Sequence, residues 1–176
     1  MQNHYLRYHS IVVNLKKMSD QKEYYGFSKN VNDYYNHYVT VADAKAGVLI
    51  AISFVLLEFL KDFKHCTSFE NFLFYSIAIL LSLTCLFSVC TVFPRNPKKK
   101  KGLIFWENVK EFDNSNEYFD KVKELDFDKI EKKYSTQNYI LSKILNRKYF
   151  FVRASIIVFV PALICLITLY TISTYA

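Results

Sequence analysis

The chain has 176 residues, of which 52% are hydrophobic and only three are glycine, and its net charge is +7. The apolar residues are gathered into long blocks, which excludes an ordinary water-soluble globular domain. We therefore predict an all-α integral membrane protein with three transmembrane helices and a helical cytoplasmic region.

Residues 1–45 form the predicted cytoplasmic amino-terminal segment. The stretch from Asp20 to Tyr38 is polar and aromatic and lacks proline, so we expect a helix that runs directly into the first span, with Gly26 as its weak point. The apolar stretch at residues 11–15 is too short for a signal peptide. Met18 offers an alternative start to the chain.

Three apolar blocks predict the spans, at residues 46–60, 72–93 and 150–172. The last two are long enough for the roughly 30 Å hydrocarbon core, at about 1.5 Å per residue. The first covers only about 22 Å at that rise, so we expect it to begin near residue 39. Residues 61–71 then form an external loop, and residues 173–176 form an external tail. Pro161 is expected to kink the third span.

The connection at residues 94–149 is predicted to be basic, helical and cytoplasmic. Residues 93–149 carry 14 Lys and Arg residues, against 6 in the first 45 residues and two in the external loop. The positive-inside rule then places the amino terminus in the cytoplasm. The lysine run at residues 98–101 is typical of an anchor on anionic lipid. Nucleic-acid binding is disfavoured, because the run lacks interleaved aromatic residues.

Three helices are expected within this connection. Leu103, Trp106 and Val109 share one face of a helix at residues 102–112, which fits either the lipid surface or a helical bundle. A short helix at residues 117–125 follows, with Asn116 as its cap. A long helix beginning near Asp126 or Asp128 then continues into the third span.

No pattern in the sequence indicates catalysis or metal binding. There is no phosphate-binding glycine loop, nucleophile elbow or HExxH pattern, so we predict that the protein is not an enzyme. The four cysteines and four histidines lack metal-ligand spacing, and we predict no disulfide, metal or cofactor.

Two opposite charges, Asp43 and Lys45, lie where the first span begins. Residues two apart on a helix point about 200° from each other, so the two do not form a pair. Lys45 can extend to the lipid headgroups. The Asp43 face is mostly polar or small, which favours close approach of a second helix. We call it the Asp43 stripe, and it comprises Asn36, Thr40, Asp43, Gly47, Ala51, Phe54 and Glu58.

A carboxylate near the hydrocarbon edge is costly unless it has a partner. Arg95, Lys148 and Arg153 are candidate partners for Asp43 on the same side of the membrane. We expect Arg153 or Arg95 to form the ion pair, within the chain or between copies. The alternative is an ordinary interface charge that fixes topology.

The sequence ADAKAG at residues 42–47, preceded by Asn36 and Tyr38, resembles the signature of the Pycsar transmembrane effector family. Further agreements are Pro94 and Arg95 after the second span, FWENV at residues 105–109, and Lys148 and Tyr149 before the third. The resemblance covers residues 24–170. It implies a bacterial antiphage effector of the inner membrane, paired with a pyrimidine nucleotide cyclase. Cyclic UMP or cyclic CMP would activate it to impair the membrane and cause abortive infection.

The sequence has no segment for a cyclic-nucleotide-binding β-roll, which requires many short strands. A nucleotide site must therefore be built from helices, and we expect it at the interface of a homo-oligomer. Arg95, Arg147, Lys148 and Trp106 are candidates for contacting the phosphate and the base. Two alternatives remain: a SLATT-like membrane effector that answers another nucleotide signal, and a non-toxic membrane scaffold or transporter accessory subunit.

Overall fold

The computed structural model describes the backbone of residues 2–63, 67–93, 103 and 106–175, and the side chains of residues 26–63, 67–93, 103 and 108–174. Within these residues every regular element is a helix, which confirms the predicted all-α fold. The helices are α1 (Gln2–Leu60), α2 (Ser68–Val92), α3 (Trp106–Val109), α4 (Ser115–Lys123) and α5 (Phe127–Tyr175).

Three segments of these helices are long and apolar enough to cross a membrane. They are Gly26–Leu60, Ser68–Val92 and Phe127–Thr174. This confirms the expected number of candidate spans. The predicted continuity of the amino-terminal helix with the first span is also confirmed, because α1 is unbroken from Gln2 to Leu60 and Gly26 does not interrupt it.

α2 begins at Ser68, four residues before the apolar block of the second span. A capping box fixes this start: the Thr67 hydroxyl accepts a hydrogen bond from the Glu70 backbone N–H, at 3.2 Å, and the Glu70 carboxylate accepts one from the Thr67 N–H, at 3.0 Å. These bonds satisfy two backbone donors that a helix start leaves unpaired. The T-x-x-E spacing was a sequence signal for this boundary that hydropathy alone does not detect.

The short helices differ from expectation in their starts. α4 is capped by Asn114 and not by Asn116, because the Asn114 side-chain oxygen accepts from the backbone N–H groups of Asn116 and Glu117, at 3.0 and 2.9 Å. α3 has only four residues. The predicted helix at residues 102–112 is therefore too long, because the backbone at residues 110–112 is not helical. The Trp106 side chain lies outside the described residues.

α5 begins next to Asp126, one of the two predicted starts. The Asp126 carboxylate accepts a hydrogen bond from the backbone N–H of Lys129, at 2.9 Å. That bond, with help from the Lys129 ammonium, holds the pKa of Asp126 below its usual value. The helix is unbroken at Pro161 and continues to Tyr175.

The chain divides into two compact units, and α1 and α5 contribute residues to both. Unit 1 comprises residues 1–36 and 96–142, and unit 2 comprises residues 37–95 and 143–176. In unit 2, the buried positions of α2 recur three and four residues apart and those of α1 four and seven apart, the spacings of helices that pack along a heptad seam. They are Ala42, Ala46, Ser53 and Leu60 on α1, and Leu73, Ile77, Leu81, Thr84, Ser88 and Thr91 on α2.

The interior of unit 2 changes character along its length. One part is an apolar cluster made by Leu60, Leu73, Ile77, Leu81, Ala162 and Leu169. The other part contains five buried hydroxyl residues, Ser53, Thr84, Ser88, Thr91 and Ser155, each 0 or 1% exposed. Small hydroxyl residues let membrane helices approach closely and bond across the contact, and Ser88 donates to Ser155 at 3.1 Å in this way.

Candidate functional site

The main candidate site in unit 2 is an ion pair between Asp43 and Lys148. The Lys148 ammonium donates to the Asp43 carboxylate at 2.5 Å and to the backbone carbonyl of Thr91 at 2.8 Å. One side chain of α5 therefore binds a carboxylate of α1 and the last turn of α2. We call this arrangement the Lys148 latch.

The latch is partly shielded from solvent. The Lys148 side chain is 13% exposed and that of Asp43 is 35% exposed. Charges removed from water in this way are costly unless they are paired, and losing one partner leaves the other uncompensated. The Thr91 carbonyl is suited to its role, because the final carbonyls of a helix lack intrahelical partners and carry partial negative charge.

The preferred partners for Asp43 were Arg153 and Arg95, but the structure pairs it with Lys148. Arg153 is exposed, whereas Lys148 is half-buried and lies one helical turn before the buried Val152 on the same face of α5. Lys148 therefore occupies the inward face of α5 and Arg153 does not. Arg95 lies outside the described residues. The expected position of each residue across the membrane could not decide between these cations, because it does not specify the direction in which each side chain points.

Lys45 lies beside aromatic rings at the same level of unit 2. Its ammonium is 5.7 Å from the centre of the Tyr149 ring, and the Tyr38 ring is 6.4 Å from that of Tyr149. A cation over an aromatic face is stabilised by about 0.5–1 kcal/mol at an exposed site. The two charges of the ADAKAG segment thus have separate partners, with Asp43 on Lys148 and Lys45 near Tyr149.

The Asp43 stripe lies largely on the surface of the protein, and Asp43 is its member in the Lys148 latch. Apart from the half-buried Asp43, its members are exposed. A methyl group added at Gly47 would meet no atom within 4 Å. The helix contacts of unit 2 instead use a different face of α1, which includes the buried residues Ala42 and Ala46.

The remaining predicted site residues are dispersed. Asn36 belongs to unit 1 and donates to the side chain of Asn32 at 2.9 Å. Arg147 is exposed, like Arg153. Arg95 and the Trp106 side chain lie outside the described residues, so their proposed ligand contacts stay predictions.

Unit 1 contains a polar network that the sequence analysis did not identify. Asn32 donates to the Asn138 side chain at 3.0 Å, and Asn138 donates to the Ser28 carbonyl at 3.0 Å. The Ser28 hydroxyl donates in turn to the Glu131 carboxylate. Ser28 and Asn32 are 5 and 6% exposed. The signal available in sequence was the occurrence of Ser28, Asn32 and Asn138 at core spacings, where apolar residues are usual.

At the end of this network, the two oxygens of the Glu131 carboxylate differ in their hydrogen bonding. One oxygen accepts from Ser28, whereas the other is buried without a hydrogen-bond partner. An unsatisfied buried oxygen costs about 1–3 kcal/mol, and more when it is charged. The unpartnered Glu131 oxygen thus lowers the net stability that this polar contact contributes to unit 1.

These features define a class of protein: an all-helical membrane protein with three candidate spans and a partly buried ion pair that connects all three. Residues 27–175 match the family model for the Pycsar effector protein domain. The Pycsar effector protein SaPycTM of Staphylococcus aureus is 32% identical over 138 residues, which cover 76% of this chain and 86% of that protein. No solved structure matches the chain.

The chain belongs to the Pycsar effector family. This confirms the resemblance drawn from ADAKAG and assigns the protein to the effectors of the Pycsar antiphage system. It also favours that assignment over a SLATT-like effector or a transporter accessory subunit.

Proposed function

We propose that this protein is activated by cyclic UMP or cyclic CMP and then impairs the bacterial inner membrane, which causes abortive infection. A pyrimidine nucleotide cyclase would supply the signal, and the amino terminus would face the cytoplasm. Family membership supports the effector role. The Lys148 latch is the single structural observation that supports a gating mechanism.

The latch suggests how a nucleotide could act. A cyclic mononucleotide carries one negative phosphate, which can compete with the Asp43 carboxylate for the Lys148 ammonium. Two exposed cations, Arg147 and Arg153, lie near Lys148 in sequence and can attract the phosphate. In this mechanism, the nucleotide opens the latch and weakens the attachment of α5 to α1 and α2.

Opening the latch would act on the hydroxyl-containing part of unit 2. Ser53 is completely buried, and its hydroxyl oxygen has no hydrogen-bond partner. A buried polar atom of this kind gains hydrogen bonds when water reaches it. Separation of the helices there would let water enter the span, and several copies of the chain would be required to build a pore of any size.

Membrane potential in intact bacteria tests this proposal. The effector is produced with an active pyrimidine nucleotide cyclase or with its catalytically inactive variant, and a potential-sensitive dye is followed by flow cytometry. We expect depolarisation only with the active cyclase. Equal dye signals with both cyclases, together with no binding of cyclic UMP or cyclic CMP to the purified protein, would contradict the proposal.

A variant of the latch tests the gate separately. Lys148→Met removes the ammonium while keeping an apolar side chain, so we expect depolarisation without an active cyclase. Lys61→Met is the matched control, because Lys61 pairs with Glu58 at the exposed end of α1. A Lys148→Met protein that inserts normally and stays silent without the cyclase would exclude the latch as a gate.

A further inference from the structure

A small group of side chains lies where α1 meets α5, next to the Lys148 latch in sequence but not part of it. The Lys45 ammonium is 5.7 Å from the centre of the Tyr149 ring. The centre of the Tyr38 ring is 6.4 Å from that of Tyr149, and the two rings are tilted by 44°. All three residues belong to unit 2. We call them the Tyr149 cluster.

The Tyr149 cluster is open to a small ligand. Lys45 is exposed, and Tyr38 and Tyr149 are half-buried. In the part of the chain that the structure describes, Lys45 forms no ion pair, so its charge is available to an anion. Asp43 lies about 200° away from Lys45 around α1. Its carboxylate is held by Lys148 and does not neutralise Lys45.

A second exposed cation extends the cluster along α5. Arg153 follows Tyr149 by four residues, which places both on the same face of the helix. An aromatic ring that is partly open to solvent is thus accompanied by two cations. Cations bind a phosphate through charge-assisted hydrogen bonds, and an aromatic ring stacks on a nucleobase. The cluster therefore has the chemistry of a site for a small phosphate that carries a planar base.

We propose that the Tyr149 cluster binds the cyclic pyrimidine nucleotide. The base stacks on the Tyr149 ring in place of the Lys45 ammonium, and Lys45 and Arg153 bind the phosphate. The exchange is favourable, because a stacked base and a paired phosphate replace one weak contact between an exposed cation and a ring. The identity of the ligand rests on the proposed function, whereas the position of the site rests on the contacts of Tyr149.

The position of the cluster explains how binding reaches the latch. Tyr149 directly follows Lys148, and Lys45 lies two residues after Asp43. The latch and the cluster therefore join the same turn of α1 to the same turn of α5. A base that inserts at Tyr149 separates these turns, which weakens the contact between Lys148 and Asp43. The Lys148 ammonium is then more easily transferred to the phosphate.

Nucleotide binding to the purified full-length protein in nanodiscs of neutral lipid tests the site. The probes are cyclic UMP and cyclic CMP, and neutral lipid removes competing anionic headgroups. We expect Tyr149→Leu to weaken binding by about 5- to 150-fold, the range for loss of one stacked base. Tyr149→Phe keeps the ring and should bind within about twofold of the native chain. Lys45→Met should weaken binding by about fivefold or more and make it less sensitive to salt.

Two control variants make the same changes at the other end of unit 2. Tyr170→Leu removes a ring whose centre is 6.5 Å from that of Phe63. Lys61→Met removes a cation that pairs with Glu58. Both should bind the nucleotide within about twofold of the native chain, because substitutions at distant sites act independently.

The outcomes separate this site from nucleotide activation as such. If the native chain binds a cyclic nucleotide and either folded variant, Tyr149→Leu or Lys45→Met, binds it equally well, the inference is overturned and the proposed function stands. The cluster would then be only an anchor at the lipid interface. If the native chain binds neither cyclic nucleotide, both proposals fail. Lys45→Met decides the matter even when Tyr149→Leu does not fold, because Lys45 is exposed.

Discussion

At the scale of single residues, the proposed gating depends on the contacts of Lys148. Its ammonium bonds to both α1 and α2, through Asp43 and the Thr91 carbonyl. A pair of this kind contributes little net stability relative to apolar residues, yet it is costly to break from one side. Because the pair adds little net stability, a ligand that replaces one partner can open the contact.

We predict strong coupling between Asp43 and Lys148 in a double-mutant cycle. Asp43→Asn and Lys148→Met should each destabilise the protein, because each leaves the other charge without its partner, and the double variant should recover much of the loss. The expected coupling is about 1–3 kcal/mol. It is measured from unfolding of the purified protein in mild detergent.

The exposed pair between Glu58 and Lys61 is the control for this cycle. Its side chains are 74 and 68% exposed, so its coupling should stay below about 1 kcal/mol. Similar coupling in both pairs would show that the Lys148 latch is an ordinary surface ion pair.

At the scale of elements, the start of α4 depends on one side chain. The Asn114 oxygen accepts two backbone hydrogen bonds at this helix start. We predict that Asn114→Ala destabilises α4 by about 1 kcal/mol. Hydrogen exchange of the amides in Ser115–Lys123 should then accelerate, whereas Asn116→Ala should change it little. A larger effect from Asn116→Ala would restore the cap expected from sequence.

We predict that the polar contact between α1 and α5 in unit 1 makes the protein less stable than an apolar contact would. Asn32 and Asn138 bond to each other where heptad packing usually places apolar side chains. Replacing both with leucine removes buried polar groups and adds apolar contact, so the thermal midpoint should rise by several degrees. Asn138→Ala alone should lower it, because Asn32 then loses its acceptor at a cost of about 1–3 kcal/mol.

The response of cells to the nucleotide is a second measurement on the protein with both leucine substitutions. If the polar contact is weak in order to allow rearrangement, the doubly substituted protein should require more active cyclase to depolarise cells. A lower thermal midpoint for the leucine pair would show that the amides stabilise the contact. An unchanged cyclase requirement with a raised midpoint would separate the stability of unit 1 from gating.

At the scale of the whole molecule, the sequence was sufficient for the helical class and for the number of candidate spans. Hydropathy indicates the spans, and the absence of proline before Pro94 indicates that α1 is continuous. The partner of Asp43 could not be obtained in this way. Its choice depends on which face of α5 turns inward, and that is decided by packing against buried neighbours such as Val152.

The face of α1 that packs within the chain was also beyond the sequence alone. Composition favoured the Asp43 stripe, since it is small and polar, and no buried residue was known that could define the inward face of α1. The buried positions Ala42, Ala46 and Ser53 define that face, which leaves a neighbouring β-branched stripe exposed. Spacing along a helix describes several possible faces, and only burial shows which are already occupied.

Purified protein in liposomes shows whether a cyclic pyrimidine nucleotide opens the Lys148 latch and impairs the membrane. A potassium gradient is imposed, and dissipation of the potential is followed after addition of cyclic UMP, cyclic CMP or linear UMP. We predict rapid dissipation with one of the cyclic nucleotides, none with linear UMP, and dissipation without nucleotide in Lys148→Met liposomes. Stable potentials with both cyclic nucleotides, together with a stable potential in Lys148→Met liposomes, would contradict nucleotide gating through Lys148.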